Sequence, residues 1–227
     1  MEKTAASENS PPTRTYGELL RDSSFRTELI WTLVFFGGIM YLYVLFMPAM
    51  DKRPGAILSD PLHALVKPGD FSMATFGVMY CAIIFCMFQL RRRPSLVLLG
   101  IRAFTLTTIF RMGAIYLLPL QPPATGVPLN DFLIKTLYGE NVFIYNDLFF
   151  SGHVSTMFIL FLVSEKLWVR GLMLLSCFVV GGLLVFQQVH YSIDAAAAPF
   201  FAYGSYRLLL ILEEYFPPLT QGRRRTA

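Results

Sequence analysis

The chain has 227 residues, of which 55% are hydrophobic and only 15% charged, with a net charge of +4 and a mean hydropathy of +0.53. Its apolar residues run in long stretches, not in amphipathic stripes, which excludes a water-soluble globular domain and predicts an all-α polytopic membrane protein. The basic excess forms no stripe and has no aromatic stacking motif beside it, so nucleic acid is excluded as a partner.

In chain order, residues 1–27 are polar, contain the low-complexity run SENSPPTR, and lack the short apolar core of a cleavable signal. They are expected to form a disordered cytoplasmic segment. Six transmembrane helices are expected within 28–212, over 28–47, 71–90, 95–118, 148–168, 171–188 and 194–212, each near the ~20 residues that cross a bilayer. The fourth has the least support, because its apolar run from Val154 to Val163 is short and Glu165 and Lys166 interrupt it. Residues 213–227 form a basic tail. Cys81, Cys86 and Cys177 fall inside spans without metal-ligand spacing, as small buried hydrophobes do.

Loop charge sets the orientation. Lys3, Arg14, Arg21, Arg26, Arg91, Arg92, Arg93, Lys166, Arg170, Arg223, Arg224 and Arg225 lie on one side of the predicted spans, against Lys52, Arg53, Lys67 and Lys135 on the other. Both termini are therefore expected in the cytoplasm. With that topology the segments NDLFFSGHVSTMF and VHYSIDAAAAPFF bring Ser151, His153, His190 and Asp194 to one depth on the non-cytoplasmic side.

Each of these residues has two readings. Ser151 can cap a helix whose free first-turn N–H groups, with Gly152 admitting a ligand to the backbone, favour an anion such as phosphate; the alternative is a plain cap with an interfacial His153. His190 and Asp194 are four apart, so the carboxylate can fix one imidazole nitrogen and leave the other free as nucleophile or base. The alternative is an interfacial histidine and a capping acid. Arg111, ~25 Å along the third span at ~1.5 Å per residue, can clamp a phosphate with both guanidinium arms or snorkel to the head groups. Arg102 falls on the opposite face and suits a buried pair. Asp147 can orient His153, bind a head group, or be a cap or a solvated loop acid, and the stretch from Gln121 to Asp147 can form a re-entrant or lid segment. His63, in another outer loop, is expected to be solvated.

The blocks NDLFFSGHVSTMF, HYSID and FRMGAIYLLPLQPP resemble the superfamily of type 2 phosphatidic acid phosphatases, and within it the sphingomyelin synthase branch. FFSGH is also similar to the plant phosphatidylcholine:diacylglycerol cholinephosphotransferases. The resemblance covers 95–212; residues 1–94 share only two preceding spans. Hydrolytic members carry K-x6-RP, a proline before SGH and an arginine six before the second histidine, whereas here Phe150 precedes SGH, Leu184 stands six before His190, and K-x6-RP is absent.

The resemblance implies a phosphotransferase that moves phosphocholine or phosphoethanolamine from a glycerophospholipid to ceramide or diacylglycerol. In that scheme His190 is the nucleophile, Asp194 orients it and His153 is the acid and then the base. Arg111, Ser151 and Gly152 bind the phosphate, while Asp147 and Tyr191 are candidate head-group or orienting residues. Membrane lipids would be donor and acceptor, and neither metal nor other cofactor is implied. Hydrolysis in the same site, by a phospholipase C-like or lipid phosphatase reaction, and a non-catalytic lipid-binding or transport protein are the alternative expectations.

Overall fold

The computed structural model describes residues 16–131 and 148–216, and every described helix forms where the sequence is apolar or capped. Asp22 accepts from Ser24 N–H at 2.9 Å and so ends the short α1 (Tyr16–Arg21) and starts α2 (Ser23–Asp51). Asp60 caps α3 (Pro61–Leu65), whose Pro61 occupies the first turn where its missing N–H costs nothing. Then come α4 (Ser72–Leu90), α5 (Pro94–Leu117, again opened by proline), α6 (Gly152–Val163), α7 (Leu167–Phe186) and α8 (Ser192–Tyr215).

Five of these, α2, α4, α5, α7 and α8, are long and apolar enough to cross a membrane. They expose large apolar side chains such as Trp31, Phe35, Ile84, Phe178 and Phe200, as an integral membrane protein does toward lipid. The sixth expected span, 148–168, is instead the 12-residue α6. At ~1.5 Å per residue it is only ~18 Å long. The physical reason is its position: α6 packs against α5, α7 and α8 and touches α4, at the centre of the molecule. Non-helical backbone at membrane depth is tolerated when protein encloses it. The residues flanking α6, Leu148, Phe150, Ser151 and Ser164, are all buried. At its far end the chain is extended at Ser164 and Lys166, and Glu165 pairs with Arg93 at 3.0 Å to close that turn.

Around α6 the core is built from Phe76, Met157, Leu160, Val180, Leu184, Ala198 and Ala202. Small residues on α8 let the helices approach closely, the usual basis of packing in lipid. Arg102 provides a second tie, with Nη2 on Glu28 at 2.8 Å, Nη1 on Glu213 at 3.0 Å and Nε on Thr32 at 3.0 Å. It joins α2, α5 and α8 through a partly buried ionic cluster, where a buried pair was expected.

The connections after α2 and after α5 are organised as well. Ala56 and Leu120 form a parallel bridge, with Ala56 N–H on Pro119 O and Gln121 N–H on Ala56 O, each at 2.9 Å. Gly55 is needed there, since a Cβ would lie 2.8 Å from the carbonyl oxygen of Pro119.

Candidate active site

The turn between α7 and α8 is held open by two buried glutamines. Gln187 accepts from Phe71 N–H at 3.0 Å and donates to Ser72 Oγ at 3.0 Å and to the carbonyls of Val127 and Pro128. Gln188, in the left-handed region at φ 56°, donates to the carbonyls of His63 and Val66, both at 3.1 Å, and accepts from Thr125. These amides fix the approach to His190. The sequence reading missed them, although two adjacent glutamines ending an apolar span were a visible signal, because a buried amide must find partners.

Beyond the turn α8 begins, and its first turn places Asp194 beside His190. Asp194 Oδ2 accepts from Tyr191 N–H at 3.0 Å and stands 3.5 Å from His190 Nδ1. One oxygen thus both accepts the capping bond and faces the imidazole. The 3.5 Å separation is ion-pair distance, longer than an N–H···O bond, and such contacts commonly tighten when substrate is bound. Because Nδ1 faces the carboxylate, Nε2 is the nitrogen left for chemistry. His153, in the first turn of α6, presents its ring to His190 with centroids 6.4 Å apart and planes inclined by 67°. One phosphoryl group can touch both imidazoles.

The start of α6 is tied directly to the start of α8, Ser151 N–H donating to the Asp194 carbonyl at 3.2 Å. Ser151 occupies the N-cap position, but contrary to the capping expectation its hydroxyl makes no cap bond. Among the described residues that hydroxyl is buried without a hydrogen-bond partner, as is Asp194 Oδ1, while His190 Nδ1 has only the 3.5 Å contact with Asp194. Each unsatisfied group costs about 1–3 kcal/mol. Their clustering around a single backbone hydrogen bond marks a place built to receive a polar ligand.

Arg111 supplies the positive charge. Its Nε donates to Phe150 O at 2.7 Å and its Nη1 to Tyr43 Oη at 3.0 Å, and it is 8% exposed. Snorkelling is therefore not its state. The guanidinium lies against Gly152, where a Cβ would stand 2.5 Å from Nη1 and 2.9 Å from Cζ. Gly152 admits the arginine to the helix start, a reason the sequence reading did not give. Tyr43 was also missed, hidden among the aromatic residues of an apolar span.

One expectation changes for the loop between α2 and α4. His63 is not solvated: its side chain is 10% exposed, its Nε2 is 3.1 Å from His190 O, and its ring stacks on Tyr191. Tyr191 is buried, with its hydroxyl donating to Gln121 O at 2.9 Å and accepting from Leu58 N–H at 3.1 Å. Its phenol hydroxyl is bonded to both loops, and its main-chain N–H donates to Asp194 Oδ2. Asp147 and most of the proposed lid lie outside the described residues. Among the described residues, no three His, Cys, Asp or Glu side chains converge as metal ligands.

No protein-family model matches the chain, and no curated protein does. Among solved structures, the crystal structure of LpxE from Aquifex aeolicus matches with 18% identity, over 74% of this chain and 93% of that one, at a TM-score of 0.46.

Proposed function

We propose that this integral membrane protein is an enzyme of lipid phosphate chemistry, of the kind found in the type 2 phosphatidic acid phosphatase superfamily. Within that kind we infer that it transfers a phospholipid head group to a lipid alcohol. The observation that carries the reading is the histidine pair: His190, with Asp194 behind one nitrogen, faces His153 across a gap bordered by a locked guanidinium.

In the proposed reaction His190 Nε2 attacks the phosphorus of a glycerophospholipid. The bond from phosphorus to the glycerol oxygen breaks, and His153 gives that oxygen its proton, releasing diacylglycerol. The head group stays on His190 as a phosphohistidine. His153 then takes the proton from the hydroxyl of ceramide or of a diacylglycerol, whose oxygen attacks phosphorus and frees His190. Arg111 and the N–H groups at the start of α6 offset the charge on the phosphoryl oxygens, where a preorganised donor is worth several kcal/mol.

Transfer is preferred to hydrolysis because the site side chains are shielded from bulk solvent. Ser151 and Asp194 are fully buried and His190 nearly so, and the loops over 56–66 and 119–130 cover their outer side. The distribution of Lys and Arg favours a site on the non-cytoplasmic side.

The test uses the purified chain in nanodiscs containing head-group-labelled phosphatidylcholine and phosphatidylethanolamine, with ceramide or diacylglycerol offered as acceptor. Acceptor-dependent formation of a new phospholipid, lost in His190→Ala, is the expected result. Release of water-soluble phospho-head group without acceptor would make the enzyme a hydrolase, and no product from any lipid would remove the catalytic reading.

A further inference from the structure

The proposed reaction leaves the third histidine without a role, yet α3 is anchored to the nucleophile's own main chain. His63 Nε2 lies 3.1 Å from the His190 carbonyl. A carbonyl only accepts, so this nitrogen carries the proton and donates. The His63 ring stacks on the next residue, Tyr191, with centroids 5.6 Å apart. The residue after that, Ser192, is held by Asp60: its N–H reaches Oδ2 at 2.5 Å and its hydroxyl reaches Oδ1 at 3.0 Å. The same carboxylate caps α3 through Leu62 N–H at 2.9 Å and stands 3.8 Å from His63 Nε2. Three successive residues, 190 to 192, are thus each gripped by a side chain from one five-residue helix or its N-cap.

The geometry points to Asp60 and His63 as positioning residues that aim His190, a role that rests on His190 being the nucleophile. The backbone at 191 and 192 sets where His190 stands relative to Asp194, whose carboxylate is itself fixed by Tyr191 N–H. Nδ1 and Oδ2 are already 3.5 Å apart, so a small slide of the 190–192 backbone breaks their alignment and turns Nε2 away from phosphorus. A misplacement of ~1 Å at reacting atoms can cost up to about 10²-fold in rate. Neither Asp60 nor His63 needs to touch substrate for this to hold. The loop between α2 and α4 therefore belongs to the catalytic apparatus, although it lies in the half of the chain that carries no motif.

A purely structural anchor would affect folded yield and not the rate per folded molecule, and this separates the two roles. The experiment compares the full chain with His63→Phe, which keeps a ring on Tyr191 but deletes the donor; with His63→Gln, whose amide can still donate; and with Asp60→Asn. All are placed in nanodiscs containing head-group-labelled phosphatidylcholine, and the rate of label transfer to His190, KM, kcat and the unfolding temperature are read.

His63→Phe and Asp60→Asn should slow labelling and kcat per folded molecule by about 10- to 100-fold, with KM near that of the parent, and His63→Gln should recover most of the loss. Parent-like labelling in His63→Phe and Asp60→Asn, or a loss explained wholly by less folded protein, overturns the positioning role while the nucleophile reading stands. Should His63→Phe fail to fold, Asp60→Asn and the rescue by His63→Gln decide the question. A parent chain that never labels overturns the nucleophile reading itself, and this role with it.

Discussion

Gly152→Ala is a one-methyl test of the phosphate site. The added Cβ would stand 2.5 Å from Arg111 Nη1, against ~3.5 Å for ordinary contact, so the guanidinium must retreat by ~1 Å. The atom that is pushed is the one bonded to Tyr43 Oη at 3.0 Å, and the neighbouring Nε bond to Phe150 O is only 2.7 Å long. Loss of one charged hydrogen bond is worth ~1.5–3 kcal/mol, and a ~1 Å shift of a substrate clamp can cost about 10²-fold. Both estimates give a fall in kcat/KM of about 10- to 100-fold.

Helix propensity alone gives the opposite expectation, since alanine for glycine in a helix interior stabilises by ~0.5–1 kcal/mol. The assay is kcat/KM for head-group transfer in nanodiscs, with the unfolding temperature measured in parallel. Arg111→Ala supplies the control: adding Gly152→Ala to it should cost little more, because the pair acts through one contact. Full kcat/KM in Gly152→Ala would refute the argument that Gly152 exists to seat the guanidinium.

Asp194→Asn should lower kcat by ~10³–10⁴ if its coupling to His190 resembles that of a Ser-His-Asp triad; parent-like turnover would reduce Asp194 to a helix cap. Arg102→Leu leaves Glu28 and Glu213 facing each other and should destabilise toward the lower end of ~3–5 kcal/mol, since the pair is partly exposed. It should lower the unfolding temperature without changing kcat per folded molecule. For Asp60, burial works against the carboxylate, but hydrogen bonds from Ser192 and Leu62 outweigh it and hold the carboxyl below its ordinary 3.8. A depressed folded-state value means that this stability is fully present above about pH 3.8 and is lost as pH falls through the lowered value. Asp60→Asn should unfold at a lower temperature near neutrality and show a shallower loss below that pH.

The long spans were legible because a uniformly apolar run of about 20 residues has few other uses. The stretch from Val154 to Val163 was apolar for a different reason: it is enclosed by other helices, and composition alone does not separate facing lipid from facing protein. The closeness of His190 and Asp194 could be read from their local spacing of four residues. Arg102 was separated from Arg111 by helical phase alone.

Partners distant in sequence could not be read in this way. Tyr43 reaches Arg111 across 68 residues and His63 reaches His190 across 127. Neither contact follows from a period or a motif. His63 was read as solvated because a histidine in a polar loop usually is. Ser151 was read as able to cap because its position fits one, and only the packing around it leaves the hydroxyl buried without a cap bond.

The most direct measurement is the identity of the covalent intermediate. The chain in nanodiscs containing head-group-labelled phosphatidylcholine would be quenched in alkali, digested and read by mass spectrometry. An acid-labile adduct on His190, carrying the head group and absent from His190→Ala, is the predicted result. Robust transfer by His190→Ala, or an adduct on any other residue, would contradict the account.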